Sequence, residues 1–236
     1  MAKSISYVIA GFNEEKIIES AVTECLHFLN GSFIDYELIL VNDASTDNTG
    51  FIMDRLSAQY PYIHVLHNYI NLNFGASVLR GLVYASKEIV LYNAADLPLS
   101  PSITSELVDE IDDYDVLVLQ RVNYRSTGWR KLTSSINTVL LNILYPRLIK
   151  GTPVLNFVQV FKKDVIKDII PFARSPIFVW PEMVFRAKLK GLKVKNRITP
   201  MRDSQIRKGS FGKPHDIIWG IYDMCRFRLR CWQKKL

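Results

Sequence analysis

The chain has 236 residues, with 30 Lys and Arg against 23 Asp and Glu, a formal net charge of +7. Its 48% hydrophobic and 22% charged content fits a folded globular chain with a sizeable core and excludes a disordered or fibrous one. The charge is uneven: residues 1–185 hold 15 basic and 20 acidic side chains, whereas residues 186–236 hold 15 basic and 3 acidic.

No apolar run reaches the roughly 18–20 residues of a membrane-spanning helix. The best stretch, Val139 to Ile149, is interrupted by Asn142, Pro146 and Arg147. Met1 to Asn13 carries one Lys and an apolar run too short for a signal peptide, so it reads as a first β-strand. Cys25, Cys225 and Cys231 have no Cys-x-x-Cys spacing, which predicts reduced thiols, packing roles and a cytoplasmic location.

Through the first 120 residues short β-branched runs alternate with helical patterns. Ile5–Ala10, Tyr36–Val41, Ile63–Leu66, Ile89–Tyr92 and Asp115–Leu119 read as strands, three of them apolar on both phases, as a buried parallel sheet requires. Glu15–Leu29, Asn48–Gln59, Gly75–Ser86 and Pro101–Asp112 have helical periodicity, the last opened by Ser100 as N-cap with Pro101 at the first helical position. The repeating β-α unit predicts an α/β fold, a doubly wound, mostly parallel sheet with helices on both faces. Further on, Gly128–Leu148 reads as a long amphipathic helix, Val154–Phe161 as a strand, Trp180–Lys190 as a helix and Leu192–Ile198 as a strand. Thr199 to Pro214 mixes Pro and Gly with Arg202, Arg207, Lys208 and Lys213 and reads as a mobile basic loop. Asp216–Leu236 returns to helical spacing.

Ligands of such sheets sit beyond the carboxyl ends of the strands, so the residues that follow each strand carry the function. They are Ala10-Gly11-Phe12-Asn13-Glu14-Glu15, then Asn42-Asp43-Ala44-Ser45-Thr46-Asp47-Asn48-Thr49, then Asn93-Ala94-Ala95-Asp96-Leu97-Pro98. Carboxylates gathered at one sheet edge point to a site, since burying them without partners is costly. Asp47, just ahead of a helix, reads instead as a cap or turn former. Neither Gly-x-Gly-x-x-Gly nor Gly-x-x-x-x-Gly-Lys-Ser/Thr is present, so a bound nucleotide needs another grip than the two common phosphate cradles.

The first two of these segments, with Asn71-Leu72-Asn73-Phe74-Gly75-Ala76 leading into Arg80-Gly81-Leu82, resemble the family 2 glycosyltransferases of GT-A fold. Within them the chain is most similar to the dolichyl-phosphate mannose synthase and polyprenyl-phosphate sugar transferase branch, over about residues 5–213. The resemblance implies a GT-A domain over 1–213 followed by a basic amphipathic helix over 214–236. It implies that Glu14 and Asp43 contact the nucleoside of a GDP- or UDP-sugar, with Asn42 beside them and Ala10 and Phe12 lining the base pocket. Ala95 and Asp96 fall in the family's DxD motif, whose carboxylates hold Mg²⁺ or Mn²⁺ against the donor diphosphate. Here Ala94 replaces the first carboxylate, and Asn93 points to the opposite face of an extended strand. One carboxylate is a poor cage for either ion, so three readings stand open: a metal on Asp96 completed by donor phosphates and water, neutralisation by Arg and Lys without metal, or a site without turnover.

By the same resemblance Arg121, Arg130 and Ser134 would grip an acceptor phosphate, the last two at i and i+4 on one helix. The basic loop would close over the diphosphate with Arg202, Arg207 and Lys213. Glu182 stands near the family's catalytic acid, or simply pairs with Arg186 four residues on. The terminal helix sets Ile217, Ile218, Ile221, Tyr222, Cys225, Leu229 and Trp232 among Arg226, Arg228, Arg230, Lys234 and Lys235. That pattern suits either an interfacial helix on an anionic membrane, or on a membrane partner protein, or a helix packed by its apolar stripe. Nucleic acid is not expected, because no nucleic-acid motif is present and the first 185 residues are net acidic. The expected activity is inverting transfer of a sugar to a polyprenyl phosphate or similar lipid-linked acceptor by a peripheral enzyme at the cytoplasmic membrane face. The alternatives are a glycan hydroxyl acceptor, with Glu182 as base, and a non-catalytic binding domain.

Overall fold

The computed structural model describes residues 3–121, 128–150, 158–173, 175–202 and 214–233. Among them, seven strands form one sheet: β1 (Ile5–Gly11), β2 (Tyr36–Asn42), β3 (Ile63–His67), β4 (Ile89–Ala94), β5 (Val116–Arg121), β6 (Gln159–Lys162) and β7 (Val194–Thr199). Their spatial order is β3-β2-β1-β4-β6-β5-β7. All pairs are parallel except those of β6, which runs antiparallel to both β4 and β5. The doubly wound, mostly parallel sheet is therefore as expected, with one strand inserted in the opposite sense.

Alternation along each strand divides the core in two. Tyr7, Ile9, Leu38, Leu40 and Leu91 pack beneath α1 (Ile18–Ser32), α2 (Thr49–Gln59) and α4 (Thr104–Glu110). Val8, Ile39, Val41, Val90 and Tyr92 face α3 (Asn73–Tyr84), α5 (Gly128–Leu144), α7 (Lys163–Ile169), α8 (Val179–Leu189) and α9 (Pro214–Trp232). Burial on both phases of β1 is what its unbroken apolar run encodes. On the second face Tyr92 stacks between Trp180, at 4.5 Å, and Phe161, at 6.4 Å. Tyr145, Phe178, Phe185 and Phe227 form a further aromatic cluster that ties α9 to α8.

Several boundaries differ from the sequence expectation. The helix expected to run unbroken to Leu148 stops at Leu144 and resumes as α6 (Pro146–Ile149). Pro146 lacks an N–H and pushes Tyr145 out of the helical region, to φ −134° and ψ 49°. The helix expected from Glu15 begins at Ile18, because the amides of Ile17 and Ile18 both bond the Glu14 carbonyl in a turn. Ser100 precedes Pro101 as expected, yet its hydroxyl caps no amide. It bonds Ser102 and Arg202 instead. The helix α7 was not expected, and residues 154–157 of the strand expected over Val154–Phe161 lie outside the described residues, β6 being described from Gln159.

Candidate active site

The strand order reverses between β1 and β4, because the chain lays β2 and β3 on one side of β1 and β4 on the other. Register brings the strand ends level: Ala10 pairs with both Val41 and Ala94, and Gly11 pairs with Asn42. The crevice beyond such a switch point is where open α/β sheets bind ligands.

The turns after β1 and β2 are clipped together by their own polar groups. Asn13 Oδ1 accepts from the Thr46 amide at 2.8 Å, and the Asn13 amide donates to Ser45 Oγ at 3.0 Å. The Glu14 amide donates to Thr49 Oγ1 at 2.7 Å, and the Glu15 amide to Asp47 Oδ2 at 3.2 Å. Asp47 also accepts from the Thr49 amide and hydroxyl. Burial pushes the Asp47 carboxyl up, but these donors outweigh it and hold it below its ordinary range. Asp47 is thus the turn former expected.

Three residues in these turns adopt positive φ: Asn13 at 56°, Ala44 at 59° and Leu97 at 43°. For Ala44 and Leu97 this region costs about 1–2 kcal/mol each. Such strain is held where surrounding contacts over-determine the backbone, and it clusters at functional sites.

Asp43 is buried at the centre of this arrangement, 3% exposed. Its Oδ1 accepts from Asn68 Nδ2 at 2.9 Å and from the Leu72 amide at 2.7 Å. Asn68 is held in turn by Arg80, whose Nη1 donates to Asn68 Oδ1 at 2.6 Å. Asn68, His67 and Arg80 were not singled out from sequence as site residues, and no short-range pattern reports these contacts. Asn42, expected at the nucleotide, is used differently. Its Oδ1 accepts from the Ser45 amide and its Nδ2 bonds His67 Nδ1, both at 3.0 Å, while Asp54 holds His67 Nε2 at 2.9 Å. The Asn42 side chain therefore shapes the Asp43–Asp47 turn. Glu14 is buried against Gly11, where an added Cβ would stand 3.2 Å from Glu14 Cγ. Phe12 is 38% exposed, whereas Ala10 and Ala95 are buried in the cores on opposite faces of the sheet.

In the third turn the Asn93 carboxamide is fully committed. Nδ2 donates to the Tyr7 hydroxyl and the Leu99 carbonyl, and Oδ1 accepts from the Ala94 amide. That leaves Asp96 as the one carboxylate of the motif. Among the described residues no group of three His, Cys, Asp or Glu is placed to hold a metal ion. The donor set does not fit a protein-built Mg²⁺ or Mn²⁺ cage.

Cationic groups lie beside this turn. The Arg202 amide donates to the Pro98 carbonyl at 2.7 Å, and the Arg202 carbonyl accepts from Arg121 Nη2 at 2.6 Å. The Arg121 side chain, expected at the acceptor phosphate, and the Arg202 backbone, expected at the donor diphosphate, are thus joined directly. The Arg202 guanidinium binds both oxygens of Glu24, at 2.7 and 2.9 Å, a hydrogen-bonded pairing that raises its pKa further. Ser134 lies exposed on α5. Arg207, Lys213 and the Arg130 side chain lie outside the described residues.

Glu182 departs from the role of catalytic acid or base. It is 1% exposed, and its carboxylate accepts from the Phe172 amide at 2.9 Å, the Ala173 amide at 2.8 Å and Arg186 Nε at 2.8 Å. The Arg186 guanidinium also lies 4.3 Å from the centre of the Phe172 ring. A carboxylate with this many donors, removed from solvent, is a structural anchor, and the pairing with Arg186 is the alternative that holds. Among the described residues the buried Gln159 carboxamide and the Tyr92 hydroxyl find no hydrogen-bond partner.

Known proteins share this fold and parts of this sequence. The chain is 28% identical over 142 residues to an undecaprenyl-phosphate 4-deoxy-4-formamido-L-arabinose transferase of Photorhabdus laumondii, covering 59% of this chain and 43% of that protein. It is 29% identical over 118 residues to the dolichyl-phosphate beta-glucosyltransferase ALG5A of Trichomonas vaginalis, covering 48% and 33%. The chain thus spans less than half the length of these curated relatives. Among solved structures it superposes on glucosyl-3-phosphoglycerate synthase of Mycobacterium tuberculosis in complex with uridine-diphosphate. The TM-score is 0.71 at 19% identity, over 96% of this chain and 80% of that one. The same enzyme in complex with Mn²⁺, uridine-diphosphate and glucosyl-3-phosphoglycerate gives a TM-score of 0.69 at 20% identity, over 97% and 80%. The shared fold is the GT-A arrangement implied by the motifs. The family model described as glycosyl transferase family 2 matches residues 6–173, and the chain belongs to that family.

Proposed function

We propose that this protein transfers a sugar, with inversion, from a nucleotide-diphosphate sugar to a polyprenyl phosphate or similar lipid-linked acceptor at the cytoplasmic face of a membrane. The observation that carries the reading is Asp43, buried at the switch point with Oδ1 fixed by Asn68 and Leu72. A carboxylate oriented in this way is ready to accept hydrogen bonds from a nucleoside at little further ordering cost. Glu14 and Phe12 complete the nucleoside side. Arg202, whose amide bonds the Pro98 carbonyl beside the turn that holds Asp96, would exchange its Glu24 partner for the departing diphosphate, and a cation there would stabilise the transition state more than the ground state. The cations of the 203–213 loop, Arg207 and Lys213, would add to it. Arg121, Arg130 and Ser134 would orient the acceptor phosphate.

The burial of Glu182 favours a phosphate acceptor over a glycan hydroxyl. A hydroxyl must lose its proton to a nearby base, and the one carboxylate considered for that task is locked in a buried ion pair. An acceptor phosphate is already anionic at neutral pH and attacks the anomeric carbon without a base. Ala94 supports a second reading, a binding domain without turnover. Thermal-shift titration with GDP, UDP and their sugars, with and without Mn²⁺, tests the donor half of the proposal. Selective stabilisation by one base is expected, scaling with ligand concentration, and the absence of stabilisation by every nucleotide would remove the reading.

A further inference from the structure

We infer that the outer faces of α5 and α9 form one surface that docks on an anionic lipid bilayer. This deepens the lipid-acceptor reading above, and rests on it for its biological purpose, but its evidence is separate. Helix α9 has two opposed faces. Gly220, Asp223, Met224 and Phe227 are buried toward the domain. The Ser175 amide donates to Asp223 Oδ2 at 2.9 Å, the Tyr145 hydroxyl donates to the Met224 carbonyl, and Phe227 joins the aromatic cluster. An added Cβ on Gly220 would stand 3.3 Å from Ser175 Oγ, so the helix sits close against the segment ahead of α8. These contacts use up the inward stripe.

Among the described residues the opposite stripe has no cover. Ile218, Tyr222, Leu229 and Trp232, at i, i+4, i+11 and i+14, are between 53 and 81% exposed, and Cys225 stands between them, also exposed. Their helical positions centre on the side away from Phe227. Helix α5, joined to α9 through Tyr145, shows the same pattern. Leu141 and Tyr145 are buried, whereas Ile136, Val139 and Ile143, at i, i+3 and i+7, are 46 to 69% exposed. Both helices pack into the core on the same side of the sheet, so their bare stripes look outward from that side.

Charge selects the occupant. Arg228 is exposed on one side of the α9 stripe and Arg226 half-exposed on the other, Arg230 being turned in over the Phe172 ring at 4.1 Å, and Arg147 and Lys150 are exposed after α5. The two carboxylates of α9 are turned elsewhere: Asp223 bonds the Ser175 amide, and the Asp216 side chain is 16% exposed. Among the described residues of α9 and of the segment after α5 the exposed charged side chains are cations, and apolar and aromatic groups beside cations match the boundary between acyl chains and anionic headgroups. They match a second copy of this chain poorly, since two such faces would bring like charges together.

The test is sedimentation of the full chain with sucrose-loaded vesicles of phosphatidylcholine alone, or with about 30% phosphatidylglycerol, a content that gives the surface a negative potential. The wild type is expected to pellet with the anionic vesicles. Leu229→Asp/Trp232→Asp and Ile143→Asp should each lower the bound fraction about tenfold, with far-UV circular dichroism and melting temperature unchanged. Ile34→Asp, at an exposed apolar residue before β2, serves as the control and should bind as the wild type does. Wild type left in the supernatant, equal binding to neutral vesicles, or variants that bind like wild type would overturn the proposal. So would a wild-type dimer, measured by light scattering, that the double variant makes monomeric without vesicle binding. Docking requires no donor, so a chain that pellets but is unmoved by any nucleotide would refute the transferase reading while leaving this one standing.

Discussion

Asn68 Nδ2 donates to Asp43 Oδ1 at 2.9 Å, and Arg80 grips the other end of the same carboxamide at 2.6 Å. The side chain of Asp43 is therefore aimed by a relay that starts at α3 and crosses the end of β3. If that aim matters for nucleotide binding, it can be loosened without touching Asp43. Asn68→Ala removes a hydrogen bond to a charged group, a loss of about 1.5–3 kcal/mol. Nucleotide affinity, measured by isothermal titration, should fall about tenfold or more, and Arg80→Met should move it in the same direction by less.

Close approach of α3 to the sheet depends on Gly81. A methyl group there would collide with Val8 Cγ1 and stand 3.2 Å from Val41 Cγ2. Gly81→Ala should destabilise the fold by about 1–3 kcal/mol through overpacking. Gly31→Ala is the informative contrast, since nothing lies within 4 Å of its added Cβ near the end of α1. Alanine is the better helix former by about 0.5–1 kcal/mol, so that variant should be neutral or slightly more stable. Urea melts of the two proteins check the pair.

Glu182 discriminates structure from catalysis. Breaking a buried ion pair by removing one partner costs about 3–5 kcal/mol, so Glu182→Ala should lower the melting temperature sharply. Turnover per folded molecule, assayed well below the melting transition, should change little. A stable variant with abolished turnover would return Glu182 to the role of base.

Glu37 sets a pH dependence far from the site. Burial pushes its carboxyl up, but the Ser6 hydroxyl at 2.5 Å and the Ser86 amide at 2.6 Å, with His64 nearby, hold it below its ordinary value of 4.5. A depressed native pKa means the native state binds its proton later than the unfolded chain as pH falls. The stabilisation is thus complete above that ordinary value and is lost as pH drops through the lowered one. The stability difference between wild type and Glu37→Gln should be largest near neutrality and shrink below about pH 4.5, as read from urea melts across that range.

Much of this was legible from local sequence, because the β-α alternation and the polar segments after β1, β2 and β4 are short-range signals. Asp43 and Asp47 could be separated there as well, one directly after an apolar strand and the other directly before a helix. What escaped was set by long-range contacts. The antiparallel insertion of β6 pairs residues 159–162 with 89–91 and 116–118, and no periodicity reports a partner strand. The helix α7 is seven residues long and has no side-chain cap, so it lacks the start signal that marks longer helices. Arg80 lay within a recognised motif, yet its task appears only once β3 brings Asn68 beside Asp43. Glu182 could be seen to face Arg186, but not that the amides of Phe172 and Ala173 complete its partners.

The central claim is that a site organised around Asp43 passes sugar to a lipid phosphate. Its most direct test is incubation of the full chain with radiolabelled nucleotide sugars and a short polyprenyl phosphate, followed by organic extraction. Wild type should yield a labelled, extractable product with one donor, and Asp43→Ala should lower the rate by about 100-fold or more, as loss of a buried, oriented polar contact to substrate implies, while its circular dichroism is retained. No extractable label from any GDP- or UDP-sugar, or equal product from Asp43→Ala, would contradict the account.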